Sequence, residues 1–324
     1  MRAIKSVLLL GLPALAACAP VAPDESSGRS DVQATTGEQA DADHAALAAA
    51  KKQFPSWFAP VEPFRVIGDA DLGVYFVGTE GLGMYFIPTD DGHIVIDGGM
   101  PGQGKQVWDN IKQLGYDPAD VKILLNSHAH LDHSGGLAEL KQLTGATLLA
   151  SEGDRSALEG GFYLGSEDDA SMGAPPVMVD RIITDGEVVM LGLVSLTAHL
   201  TPGHTRGCTS WTMDVEQGGK NYQTLFFCSA SVAANRLIGP PQYEGIVDDY
   251  RKTFARTRDW KPDIFLSNHP QFFDMAAKQK KLAAGDPLAF VDDSGFPAFI
   301  AKMEQAFEAE LEKQTLKYNA IMSN

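Results

Sequence analysis

Basic residues are scarce. The 324-residue chain carries 26 Lys and Arg against 42 Asp and Glu, a formal net charge of −16. That balance argues against nucleic acid as a partner and against a polybasic membrane patch. Long apolar runs are missing as well: Val7 to Ala17 is too short to span a bilayer. No internal repeat is evident. There is no G-x-S-x-G elbow and no S-x-x-K motif, so no serine nucleophile of those kinds is on offer. Cysteine is limited to Cys18, Cys208 and Cys228. Apolar bulk is not lacking. With 44% hydrophobic and 9% aromatic residues, the chain can bury a sizeable core in one large domain or two small ones.

Residues 1–18 read as an export signal, with Arg2 and Lys5 ahead of a short apolar stretch. Leu15-Ala16-Ala17-Cys18 resembles the bacterial lipoprotein signal, with Cys18 as the lipidated residue; ordinary cleavage after a nearby small residue is the alternative. Either route exports the mature chain, to the periplasm and an oxidising environment, with membrane contact only through a lipid on Cys18. Residues 19–45 are Ala-, Pro-, Ser-, Gly- and acid-rich, a flexible tether. Residues 46–324 remain as the folded domain.

One stretch organises that domain: Ser127-His128-Ala129-His130-Leu131-Asp132-His133-Ser134-Gly135-Gly136. Val121 to Asn126 ahead of it reads as a buried strand, and Leu137, Leu140 and Leu143 behind it have helical spacing. His128 and His130, two apart, project to one side in extended backbone. Asp132 and His133 follow as the chain turns into the helix. One turn therefore offers two imidazoles to one metal ion and Asp plus His to a second, a donor set suited to zinc. Two more His stand at strand ends and are expected as distant ligands: His204 after Pro202-Gly203, and His269 after Ile264 to Asn268. Asp97 closes a strand beside Gly98-Gly99, where it either orients a ligand His or caps a turn. His93 is expected in an exposed Asp-Gly turn, His199 facing the core or buttressing the site, and His44 in the tether; none is expected to bind metal.

The segment 151–180 is long and Gly- and Pro-punctuated, and reads largely as loop. Its Phe162, Tyr163, Leu164 and Met172 either cover an apolar substrate or pack on the core. Cys208 and Cys228 flank a hairpin. One disulfide is the simplest count, against two buried thiols or Cys228 as a metal ligand. Hydroxyls of Ser229 and Ser231 can hold a substrate carboxylate or cap a turn. Phe296 to Gln314 reads as an amphipathic terminal helix.

The order of elements, H-x-H-x-D-H, the Gly203-His204-Thr205 segment and the last His together resemble the metallo-β-lactamase superfamily over about residues 46 to 320. The resemblance implies an α/β, four-layer αβ/βα sandwich of two mixed sheets flanked by helices. Most relatives outside the true β-lactamases carry a bridging Asp where this chain reads Phe227-Cys228-Ser229-Ala230-Ser231. Thr201 to Trp211, the Ser-x-Ser pair and Asp249 to Phe254 are similar to subclass B3. That likeness implies two zinc ions per chain: His128, His130 and His204 on the first, Asp132, His133 and His269 on the second. It implies hydrolysis of the β-lactam amide by hydroxide held between them, and so antibiotic resistance, in a monomer acting on a small molecule. Asp132 would also orient the hydroxide or pass on its proton, Ser229 and Ser231 would recognise the substrate carboxylate, and Asn235 would donate to the developing oxyanion. Arg206 departs from the Pro found in some members. The alternatives are a lactone or thioester hydrolase of the same superfamily, or a zinc-binding lipoprotein without catalysis.

Overall fold

The computed structural model describes residues 47–69 and 72–323, all within one compact unit. The export signal, Cys18, the tether and His44 lie outside the described residues. After a helix at 47–53 (α1), four strands run antiparallel in sequence: β1 (Phe64–Ile67), β2 (Val74–Phe76), β3 (Tyr85–Thr89) and β4 (Gly92–Ile96). Parallel additions follow through helical crossovers: α2 (Gly104–Gln113), β5 (Val121–Leu125), the short α3 (Leu131–Ser134), α4 (Leu137–Thr144), β6 (Thr147–Ser151), α5 (Glu152–Gly160) and β7 (Arg181–Ile183). The result is a seven-stranded sheet in the order β1 to β7. A second sheet has the order β12-β11-β10-β9-β8. Its members are β8 (Val188–Leu191), β9 (Val194–Leu200), β10 (Thr209–Gln217), β11 (Lys220–Phe227) and β12 (Ile264–Ser267). The helices α6 (Ile246–Thr257), α7 (Met275–Ala283) and α8 (Gly295–Met322) complete the chain.

Strand periodicity assigns the layers. In β4, Ile94 and Ile96 join the core shared with Leu196 and Ala198 of β9 and Trp211 of β10. Val95, pointing the other way, joins Val107 and Ile111 of α2 and Leu137 and Leu140 of α4. Both faces of β4 are buried, which is why it reads as a continuous apolar run without polar alternation. On the far side, Phe227 of β11 packs edge-on against Phe296 and Phe299 of α8. Helices, sheet, sheet and helices therefore stack in the expected four layers.

Several expectations are corrected. The segment 151–180 opens with a full helix, α5, whose stop is Gly161 at φ +69°. Helix α7 was not anticipated: its Lys278, Lys280 and Lys281 blur the apolar face. The terminal helix runs on to Met322. His93 is buried, not exposed: it lies in β4, edge-on to Phe86 and Tyr116.

Candidate metal centre

The chain ends of β4, β5, β9, β11 and β12 meet at one edge of the two sheets. Asp97 follows β4 with φ +64°, a left-handed conformation that Asp tolerates better than most residues. The turn aims its carboxylate at the next loop. Oδ1 accepts from the Ser127 backbone N–H at 2.7 Å, and Oδ2 from the Ser127 hydroxyl at 2.7 Å. That hydroxyl, having spent its proton on Asp97, is left to accept from Nδ1–H of His128, 3.0 Å away. The Asn268 amide nitrogen lies farther from Nδ1, at 3.3 Å; with Nδ1 donating to the nearer Ser127 hydroxyl, Nε2 of His128 carries the lone pair. This Nε2 is buried and has no hydrogen-bond partner among the described residues. Asp97 thus orients a site histidine through Ser127.

Two other rings are fixed by backbone carbonyls. His204 Nδ1 donates to the Ser231 carbonyl at 2.7 Å, and His269 Nδ1 to the Gly81 carbonyl at 3.1 Å. Ring centroids of His128, His130 and His204 lie 4.6 to 4.7 Å apart. One nitrogen from each of these three falls within 4.8 Å of the others, and a second such group joins His128, Asp132 and His133. Asp132 Oδ2 lies 3.1 Å from His133 Nε2 and 3.5 Å from His269 Nε2. The structure therefore brings all six expected ligands into one cluster, every ring within 5 Å of a neighbour.

Its electrostatics suit a cation. Burial and mutual repulsion push His128 and His130 well below the ordinary imidazole range. Burial pushes His204 and His269 down to about 4, so these rings are neutral and present lone pairs near pH 7. Burial alone would raise Asp132, but His133 and His269 outweigh it and hold the carboxyl well below its usual range. Burial would lower His133 too, but Asp132 beside it outweighs that and raises it. An orphaned imidazole nitrogen among four neutral rings, beside an ionised carboxylate, is the donor chemistry that a borderline-soft divalent ion requires.

Cys208 and Cys228 are joined by a disulfide with Cα atoms 5.9 Å apart, so Cys228 has no thiolate to offer a metal. His199 stays away from the cluster, bonded to Thr212. The Ser229 hydroxyl is buried against Ser231, whose side chain is the more accessible of the two. Asn235 is a correction. Its Oδ1 accepts from Tyr163 at 2.8 Å, and its Nδ2 donates to the His204 carbonyl at 2.9 Å and to the Tyr250 hydroxyl at 3.2 Å. With both amide hydrogens committed inside the protein, it has none for an oxyanion, and it serves as a positioning residue for the His204 loop. Among the four candidate cover residues, Tyr163 is buried and lies flat on His130, with centroids 4.3 Å apart and planes at 10°. One residue of the site was missed altogether. Asp154, in the first turn of α5, is buried and accepts from Ala129, Thr205 and Gly207.

Residues 84–216 match the family model of the metallo-β-lactamase superfamily. A subclass B3 metallo-β-lactamase of Bradyrhizobium japonicum is 45% identical, with a TM-score of 0.78, and the match covers 81% of this chain and 98% of that one. The chain belongs to the subclass B3 metallo-β-lactamases. The native metallo-β-lactamase of Legionella gormanii is 37% identical, with a TM-score of 0.75 over 79% of this chain and 98% of that one. A class B3 di-zinc metallo-β-lactamase from an Alaskan soil metagenome is 32% identical, with a TM-score of 0.73 over 78% and 96% of the two chains. Among curated proteins, a hydroxyacylglutathione hydrolase of Methylococcus capsulatus is 36% identical over 135 residues, 42% of this chain and 42% of that protein. Membership in this family implies metal binding, and His128, His130 and His204 form a group able to hold an ion.

Proposed function

We propose that this chain is a zinc-dependent β-lactamase that opens the amide bond of penicillins, cephalosporins and carbapenems. The observation that carries the reading is the cluster of five neutral or carboxylate-paired imidazoles around Asp132, set in a chain 45% identical to a subclass B3 enzyme. His128, His130 and His204 would hold one zinc and Asp132, His133 and His269 another; the di-zinc relative supports the count of two. When bound, zinc supplies Lewis acidity toward the amide carbonyl and lowers the pKa of a water to about 7.

The protein's own part is orientation and proton handling. Asp97, through Ser127, keeps the His128 lone pair directed inward. Asp132, held ionised by His133 and His269, would orient the attacking water or relay its proton. Tyr163, flat against His130, walls one side of the cluster and keeps bulk water from that ring. The Ser231 hydroxyl receives the antibiotic's carboxylate, ordered by Ser229 beneath it. Ser231→Ala therefore should raise KM more than it lowers kcat, because the lost contact exists before the reaction begins. Steady-state kinetics showing the reverse would place the carboxylate elsewhere.

Export and a lipid on Cys18 complete the proposal: a monomer acting in the periplasm and conferring resistance. The direct test is hydrolysis of a carbapenem and a cephalosporin by residues 40–324, before and after chelation. The expected result is turnover of both, abolished by the chelator and restored by added zinc. Failure to turn over either, in a protein shown to hold zinc, would overturn the assignment. It would favour the second reading, a thioester or lactone hydrolase. That reading rests on partial matches to the hydroxyacylglutathione hydrolase and to an N-acyl homoserine lactonase of Agrobacterium fabrum, 30% identical over 121 residues. Against it, Phe227 to Ser231 supplies no carboxylate.

A further inference from the structure

Two loops must hold their spacing for His128, His130 and His204 to share one metal ion. The first leaves β5 in one sheet; the second leaves β9 in the other. Asp154 touches both. Its Oδ2 accepts from the Ala129 N–H at 3.0 Å, the one peptide N–H between His128 and His130. The same oxygen accepts from the Thr205 hydroxyl at 2.8 Å, one residue past His204. Its Oδ1 accepts from the Gly207 N–H at 2.9 Å. Asp154 is only 3% exposed, and none of its recorded partners is a cation, so three neutral donors carry the burial of this carboxylate.

The surroundings are shaped for this contact. Ser151 donates to the Gly207 carbonyl at 2.6 Å. A Cβ on Gly153 would lie 2.7 Å from the Arg206 carbonyl, and one on Gly207 would lie 2.4 Å from the Asp154 nitrogen. Two facing glycines therefore let the first turn of α5 seat against the 205–207 backbone. A backbone bond from Thr209 to the Ser127 carbonyl also links the loops, but it grips neither Ala129 nor Thr205.

We infer that Asp154 is a positioning residue that clamps the His128–His130 loop to the His204 loop and so sets the affinity of the three-histidine metal site. The inference rests on the metal-site reading of those histidines and not on the substrate. An ionised carboxylate is required because all three neighbours are donors. An amide in its place would turn an N–H toward one of them and lose that contact.

The test compares wild type, Asp154→Ala, Asp154→Asn and Thr205→Val. Zinc affinity is read by competition with a chromophoric chelator, and the metal-free fold by thermal unfolding. Asp154→Ala is expected to weaken zinc binding by ~10- to 100-fold, the range for partners that orient metal ligands. Asp154→Asn, keeping part of the acceptor set, should fall between it and wild type. Thr205→Val, which deletes one contact at similar shape, should move affinity the same way by less, and it keeps the test decisive if Asp154→Ala does not fold. Unchanged zinc affinity in folded Asp154→Asn and Thr205→Val, with only the unfolding temperature lowered, would overturn the inference. Because the readout is metal binding, absent β-lactam turnover would count against the proposed substrate and not against this role.

Discussion

His128→Ala should leave a folded protein that takes up less zinc and loses more than ~100-fold in kcat/KM toward a carbapenem. The bound follows from comparison: partners that merely orient a metal-bound histidine cost 10- to 100-fold, so deleting a ligand should cost more. His128 is also common to every group of metal-capable side chains among the described residues, one with His130 and His204 and another with Asp132 and His133. Its loss takes one of three proposed ligands from the first zinc. Folding should survive, since the main contacts of the loop run through Asp97 to Ser127 and Asn126 and through Asp154 to Ala129. Metal content by atomic absorption and turnover by ultraviolet absorbance are the checks. Wild-type zinc content together with wild-type turnover would sink the site assignment.

Phe307→Ala should have the largest effect on stability, about 3–5 kcal/mol, as for truncation of a fully buried Phe. Phe307 is 0% exposed and stacks on Tyr250 with centroids 4.8 Å apart, next to Phe254 at 5.5 Å. It holds α8 to α6 over the second sheet. The unfolding midpoint should drop by on the order of 10 °C in a domain of this size. Activity in excess zinc should fall far less than in His128→Ala, although some loss is expected. Tyr250, resting on Phe307, donates to the same Ser231 carbonyl that receives His204 Nδ1. A midpoint within a degree of wild type would show that α8 is not held by this contact.

Much of the centre was legible because its chemistry is local. Four of the six expected ligands fall between His128 and His133, where spacing alone orients them. His204 and His269 could be found because strand ends are recognisable from apolar runs that stop at Gly or Pro. Asp154 could not. Its partners at Thr205 and Gly207 lie 51 and 53 residues away, and nothing in Glu152 to Gly160 distinguishes a carboxylate that grips a loop from one that favours a helix N-terminus. Asn235 was misread for a related reason: a side chain's hydrogen-bonding capacity is visible in sequence, but its prior commitments to Tyr163, His204 and Tyr250 are not. His93 was misplaced because the Asp-Gly signal is about backbone. The side chain that follows the turn already belongs to the strand and packs on Phe86.

Both proposed ligand sets draw on both sheets. His128 and His130 leave β5 and Asp132 and His133 follow in α3, whereas His204 leaves β9 and His269 leaves β12. Metal held by these sets would be a rivet through the seam of the sandwich. An ion that binds only the assembled halves stabilises them by mass action, about 2.7 kcal/mol when free zinc is a hundred times its dissociation constant. Zinc scarcity would then do more than idle the molecule. It would slacken the joint between the sheets and expose the chain to proteolysis, so that the amount of protein present and its state of loading rise and fall together.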